Sequence, residues 1–228
     1  MLTNALKKSY PIPPVNRSEI FRYAGCPVPG EEENCILDEC LSELLAPGML
    51  RYDAVLCRMP IDVFDEVCSF PGFTLHSAAL AESLTGCHEA LLFGCTIGLF
   101  PDILIRKYGI TAPVKGLMIQ AAGAERVEAL CDAICDEYNT SLAKEGFFLK
   151  ARFSPGYGDL ALETQTEFFR VLPLSAIGLT LNTSYLMSPT KSVTAVAGIC
   201  PGGKASPDFH CNSSCSACSM LSCPYRKQ

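Results

Sequence analysis

The sequence predicts an α+β fold, because strand-like and helix-like segments are both present but do not alternate singly. Hydrophobic residues make up 49% of the 228 residues and charged residues only 18%, which supports a sizeable core. The hydrophobic period changes from two to about 3.6 residues and back along the chain. The helix-like segments are grouped in the middle, and this grouping distinguishes the pattern from a doubly wound α/β fold.

Apolar spacing, capping residues and Gly or Pro punctuation predict the elements in order. Residues 1–15 are predicted to be an irregular, proline-rich lead-in. Helices are predicted over 16–25, 30–45, 77–86, 87–109 with a bend near Pro101, 112–146 and 163–172. Strands are predicted over 52–61 and 66–75, which we expect to share one sheet, and over 147–153, 177–187 and 192–199. The small residues at 121–124 should let another element approach the long helix closely.

The composition changes at Cys200, which divides the chain into a domain over 1–200 and a Cys-rich tail over 201–228. The tail has few apolar side chains, so burial alone would not order it. It carries four closely spaced cysteines, and such spacing indicates a metal site, either zinc or an iron–sulfur cluster. Unligated thiols are the alternative. The four predicted ligands are Cys211, Cys215, Cys218 and Cys223.

Charge and hydropathy argue against several classes of partner. The net charge is −6 and no basic run occurs, which disfavours nucleic acid. The longest apolar run, Leu91 to Phe100, is about half of the ~20 residues that a membrane span needs. No apolar signal region is visible near the start, so we expect a cytoplasmic protein whose scattered cysteines are buried thiols.

The stretch "RFSPGYGD" has the composition of a ligand-binding turn. Pro155-Gly156 is a turn dipeptide, and it could place Arg152, Tyr157 and Asp159 around a small space. Arginine can hold a carboxylate through two hydrogen bonds, and a tyrosine ring can stack on a flat ligand. The alternative is a simple connection between two elements, in which Arg152 pairs with Asp159.

The same stretch also carries a resemblance to a known family. "RFSPGYGDLALETQ" and "IGLTLNTSYLMSPTKSVTAVAGI" resemble the activation (reactivation) domain of cobalamin-dependent methionine synthase. The similarity is greatest to the free-standing form of that domain from anaerobic bacteria, and it covers roughly residues 12–200. Three upstream segments fit the same pattern in the same order: "NRSEIFRYAG", "LTGCHEALLFGCTIG" and "AERVEALCD".

The resemblance implies a fold, a ligand and a role. The fold would be a twisted antiparallel sheet with S-adenosylmethionine (SAM) bound along one edge. The role would be repair: SAM and one external electron restore methylcobalamin in a synthase whose cofactor has become inert cob(II)alamin. Cobalamin would sit only on the partner, a methionine synthase or another corrinoid protein, and the electron donor would be a flavodoxin or ferredoxin.

The resemblance also implies which residues bind SAM. Arg152 matches the arginine that holds the SAM carboxylate region, and Gly156 and Tyr157 match the Gly-Tyr that follows it. Glu128 falls at an acidic position on the long helix, and Asn16 falls where the fused synthases have an aspartate. No catalytic residue is implied, since the protein would contribute to the methyltransferase activity of its partner.

A second interpretation keeps the corrinoid partner but removes SAM. In it the protein is an adaptor or redox partner of another corrinoid protein, and the metal-containing tail carries the function.

Two further features have simple interpretations. Cys131 and Cys135 share a helix face, for which packing is favoured over chemistry. Lys191 could meet an anionic group, but a solvated surface position is favoured.

Overall fold

A computed structural model describes residues 5–202 of the protein. Within this range the strands are β1 Leu6–Ser9, β2 Asp53–Pro60, β3 Asp62–Phe64, β4 Val67–Phe70, β5 Phe73–His76, β6 Glu89–Thr96, β7 Phe147–Leu149, β8 Thr180–Leu181, β9 Met187–Ser188 and β10 Ser192–Pro201. The α-helices are α1 Arg17–Tyr23, α2 Glu31–Leu44, α3 Ala78–Leu84, α4 Phe100–Thr111, α5 Pro113–Leu142 and α6 Gln165–Val171.

The main sheet has the order β1-β2-β6-β10-β7, and every neighbouring pair in it is antiparallel. Strand β6 lies at its centre, with Thr96 opposite Asp53 of β2 on one side and Ser192 of β10 on the other. Long helix α5 covers one face of this sheet. Helix α3, helix α6 and the three-stranded sheet β3-β4-β5 cover the other. The predicted α+β fold with an antiparallel sheet is therefore confirmed.

The helix predicted over 87–109 is wrong in its first half, which forms the central strand β6. Leu92 of this strand packs into the core on one face of the sheet. Leu91 and Phe93 pack into the core on the other face, and all three side chains are fully buried. A strand buried on both faces shows no alternation of polar and apolar residues, so its pattern is easily taken for that of a buried helix.

Three other predictions about strands are also wrong. Residues 6–9, expected to be irregular, form the edge strand β1. Residues 66–75 form the hairpin β4–β5, which belongs to the small sheet rather than to the sheet of β2. The single strand predicted over 177–187 is replaced by the two short strands β8 and β9, which pair with each other. In the last two cases a turn interrupts a segment of high strand propensity.

The expectation that the scattered cysteines are buried thiols is wrong for Cys35, which is exposed, and for Cys87 and Cys200, which form a disulfide. Their Cα atoms are 4.7 Å apart, within the range that a disulfide spans. Gly198 leaves room for this pair, because a Cβ at its position would lie only 2.6 Å from Cys87 Sγ. The two cysteines are 113 residues apart in sequence and become neighbours only when β10 enters the sheet.

Candidate functional site

Arg152 reaches helix α5 because the chain around it runs alongside β10. The amide of Lys150 donates to Gly198 O at 2.8 Å, and Phe153 exchanges two backbone hydrogen bonds with Val196. The Arg152 guanidinium then pairs with two carboxylates of α5. Its Nη1 lies 2.6 Å from Asp132 Oδ1, and its Nη2 lies 2.6 Å from Glu128 Oε2.

The two carboxylates share one face of α5, since Glu128 and Asp132 are four residues apart. Their side chains are 36% and 35% exposed, whereas the side chain of Arg152 is only 10% exposed. The solvent-facing part of this cluster is therefore acidic. Each carboxylate keeps acceptor capacity beyond its bond to Arg152, so the cluster can accept hydrogen bonds from a cationic group of a ligand.

The alternative in which Arg152 pairs with Asp159 is wrong. Asp159 instead accepts hydrogen bonds from the amides of Ala78 and Ala79, at 2.7 and 3.2 Å, and from the hydroxyl of Ser77. These donors are at the amino end of α3, where a carboxylate is favourable. The Ser77 hydroxyl and then the two amides hold the pKa of Asp159 below its ordinary value.

The turn at Pro155-Gly156 is present, but it packs against α3. Gly156 has a φ of +91° and donates to Leu160 O at 2.8 Å, which closes the turn. A Cβ at Gly158 would lie 3.2 Å from Ala79 Cβ, so the turn and the helix are in close contact. Tyr157 lies on the exposed side of this turn. The turn thus brings Gly156 and Tyr157 to the surface a few residues beyond Arg152.

Asn16 caps helix α1 and also contacts α5. Its Oδ1 accepts from the amide of Glu19 at 3.3 Å and from the Ser18 hydroxyl at 2.7 Å. Its backbone amide donates to Glu125 Oε1 at 2.9 Å. Glu125 precedes Glu128 by three residues on α5, so the structure brings Asn16 to the helix segment that also carries Glu128.

Two residues near this segment were not predicted. Asp132 could have been found from its position four residues after Glu128 on the same helix. Tyr23, the last residue of α1, comes close to Glu128. Burial, followed by the charge of Glu128, raises the pKa of Tyr23 to about 12, although Arg22 opposes this shift. Tyr23 therefore keeps its hydroxyl proton at neutral pH.

The buried cysteines beneath Arg152 behave as packing residues, as predicted. Cys131 is fully buried, with its Sγ 3.5 Å from Sγ of Cys95. Burial raises the pKa of Cys135 to about 11. Both thiols of this helix are thus held in the protonated form, which is the unreactive one.

Neither a metal site nor a membrane span is found in the part of the chain that the structure describes. Among residues 5–202, no group of three or more His, Cys, Asp or Glu side chains could hold a metal ion. None of the helices in this range has the length and apolar character needed to cross a bilayer. The predicted ligands Cys211, Cys215, Cys218 and Cys223 lie outside the described residues.

Comparison with known proteins relates the fold to that of a domain already solved. No protein-family model matches the sequence, and no curated protein is significantly similar to it. Among solved structures, the chain is similar to the MetH reactivation domain bound to AdoHcy, with a TM-score of 0.63 and 15% sequence identity. The match covers 89% of this chain and 80% of that chain. At this identity the similarity shows the fold, and residues 5–202 thus have the fold of a methionine synthase reactivation domain.

Proposed function

We propose that the protein binds SAM at the charged cluster on α5 and supports reductive methylation of cob(II)alamin in a separately encoded methionine synthase. The shared fold carries this proposal, because the similar reactivation domain was solved with AdoHcy bound. AdoHcy is what remains when SAM loses its methyl group. The cluster of Arg152, Glu128 and Asp132 supplies the charges for such a ligand.

The charges of SAM are complementary to those of the cluster. SAM carries a carboxylate, an ammonium group and a sulfonium. Arg152 has five N–H donors, of which two are used by Glu128 and Asp132, so it can also bind a carboxylate. The carboxylates of Glu128 and Asp132, each about one-third exposed, are suited to the ammonium or the sulfonium. That Arg152 holds the carboxylate, with Gly156, Tyr157 and Asn16 nearby, stays a prediction.

The proposed partner holds the corrinoid. In this arrangement the protein docks transiently on the cobalamin domain of the synthase and presents the SAM methyl group to it. A flavodoxin or ferredoxin supplies the electron that cob(II)alamin needs before it can accept the methyl group. The products are methylcobalamin on the partner and AdoHcy on this protein.

Calorimetric titration with SAM and AdoHcy tests the ligand. We expect saturable binding of both by the wild-type protein. If neither ligand binds, the SAM proposal is wrong and the adaptor interpretation is favoured.

A reactivation assay tests the role. The protein, SAM and a one-electron reductant are added to a synthase that lacks its own activation domain and holds cob(II)alamin. We expect methylcobalamin to form faster with the protein than without it. Equal rates, in the presence of demonstrated SAM binding, would contradict the role while leaving the ligand assignment intact.

A further inference from the structure

Lys191 is a buried lysine whose amine has no partner among residues 5–202. The residue is only 6% exposed, so the solvated surface position predicted for it is wrong. Its Nζ makes no hydrogen bond or ion pair with any residue that the structure describes. Lysine is rarely buried unless it is paired, because burial penalises the charged amine. Burial accordingly lowers the pKa of Lys191 to about 8, although the charge of Asp102 opposes this shift.

The stem of Lys191 occupies a space that Gly123 leaves open on α5. A Cβ at Gly123 would lie 2.9 Å from Cε of Lys191 and 3.2 Å from its Cγ and Cδ. Helices α4 and α5 are antiparallel here, with Gly116 of α5 against Gly109 of α4. Thr190 donates its amide and hydroxyl to Asp102 in the first turn of α4, and the next residue, Lys191, lies against Gly123. The charge of Asp102 acts on the Lys191 amine, which therefore lies near the amino end of α4.

The amino end of α4 has backbone donors to spare. Leu99, the N-cap residue, makes no side-chain capping bond, and Pro101 has no N–H. The amides of Leu99, Phe100 and Asp102 have no acceptor within the described residues. Such a helix end attracts anions. The Asp102 carboxylate does not fill this role, since it accepts from the amide of Thr190 at 2.8 Å and from the Thr190 hydroxyl.

We propose that Lys191 and the amino end of α4 form a binding site for a small oxyanion, a phosphate or carboxylate group. The amine would supply the charge, and the amides of Leu99, Phe100 and Asp102 would supply directed hydrogen bonds. This site is separate from the one proposed for SAM. Gly123 and Glu128 are five residues apart on α5, which places them about 140° apart around the helix axis.

Nuclear magnetic resonance of the ¹⁵N-labelled protein tests the site at constant ionic strength. Inorganic phosphate and acetate are titrated separately, and each replaces chloride so that the ionic strength stays the same. We expect the amide signals of Leu99, Phe100 and Asp102 to shift saturably with at least one of the two anions. Saturation by phosphate identifies a phosphate group as the ligand, and saturation by acetate alone identifies a carboxylate.

Two variants show whether Lys191 is responsible. Lys191→Met should weaken the binding of the anion by about tenfold or more, as expected for loss of a charged hydrogen-bond donor. Lys144→Met, which removes an exposed lysine just after α5, should leave it unchanged. Unchanged affinity in Lys191→Met overturns the proposal. The absence of saturable shifts in the wild-type protein also overturns the proposal. This second result does not depend on whether the variant folds.

Discussion

Two arginines contact carboxylates of helix α5, and they differ in what they leave available to a ligand. Arg126 is fully buried and pairs with the buried Glu125 of the same helix. Its two Nη atoms also donate to Pro13 O and Pro14 O, each at 2.6 Å. Arg152 is nearly as buried, but each of its carboxylate partners is about one-third exposed.

The comparison indicates that charge alone does not mark a site on this helix. The Arg126 group is closed, because its donors and acceptors are used to fasten residues 13–16 to α5. The Arg152 group has acceptor capacity that faces solvent. The motif and the resemblance single out Arg152 in the sequence, but the sequence does not show that Arg126 is used up by its neighbours. The following changes test whether the first group stabilises the fold and the second binds the ligand.

Arg126→Met should have the largest effect on stability. It leaves Glu125 buried without its partner, and removing one member of a buried ion pair costs about 3–5 kcal/mol. Arg152→Met should lower the free energy of unfolding clearly less, because the carboxylates that it leaves unpaired can reach water. Urea unfolding of the two variants measures the difference. Equal losses of unfolding free energy in the two variants would contradict the view that only the Arg126 group serves mainly to stabilise the fold.

Lys191→Met should remove a pH dependence of the free energy of unfolding worth about 3 kcal/mol. Between pH about 8 and 10.5, Lys191 is neutral in the folded protein but protonated in the unfolded chain. The unfolded state therefore binds more protons, and this residue makes stability rise with pH across that window. Buried thiols such as Cys135 have the opposite effect above pH 9. The quantity to measure is thus the difference between wild type and variant at each pH, and a flat difference would contradict the prediction.

Arg152→Met should weaken SAM binding by about 1.5–3 kcal/mol, the usual contribution of a hydrogen bond to a charged group. Calorimetric titration measures this change. Arg58→Met is the matched control, since Arg58 also pairs with two carboxylates, Glu89 and Glu145, but at another place on the main sheet. Its SAM affinity should equal that of the wild type. A loss of the same size in both variants would assign the effect to general destabilisation.

Glu128→Gln should have the smallest effect, about 0.5–1 kcal/mol, because the carboxylate is partly exposed. If Glu128 faces the sulfonium, SAM binding weakens more than AdoHcy binding, since only SAM carries that charge. If it faces the ammonium group, both weaken equally. Glu137→Gln, on the same helix and paired with Lys8, is the control. No change with either ligand would remove Glu128 from the site.

The sequence predicted the parts of the site better than their arrangement. Arg152 and Glu128 were chosen separately, and the structure brings them into contact. Asp159 was assigned to the same small space, but in the structure it caps α3. The sequence could not predict this, because a cap formed across 80 residues leaves no local pattern. Asp132 was missed although its spacing from Glu128 was visible.

The fold was predicted where one face of an element is polar and missed where burial is complete. The long helix α5 shows its period over many residues, and its predicted range of 112–146 closely matches Pro113–Leu142. Strand β6 lies between two layers, so it carries no polar face to mark its period. The burial of Lys191 could not be predicted either, because the space that buries it is left by Gly123, on a helix far away in sequence.

The position of β10 has a consequence for the rate of folding. This strand completes the main sheet, yet Ser192 pairs with Thr96, about 100 residues earlier in the chain. The entropy of closing so long a loop must be overcome before the pairing stabilises anything. Helices α4 and α5 are joined by a single residue and can associate early. We therefore expect helical signal to appear first in stopped-flow refolding, with sheet closure following over milliseconds to seconds.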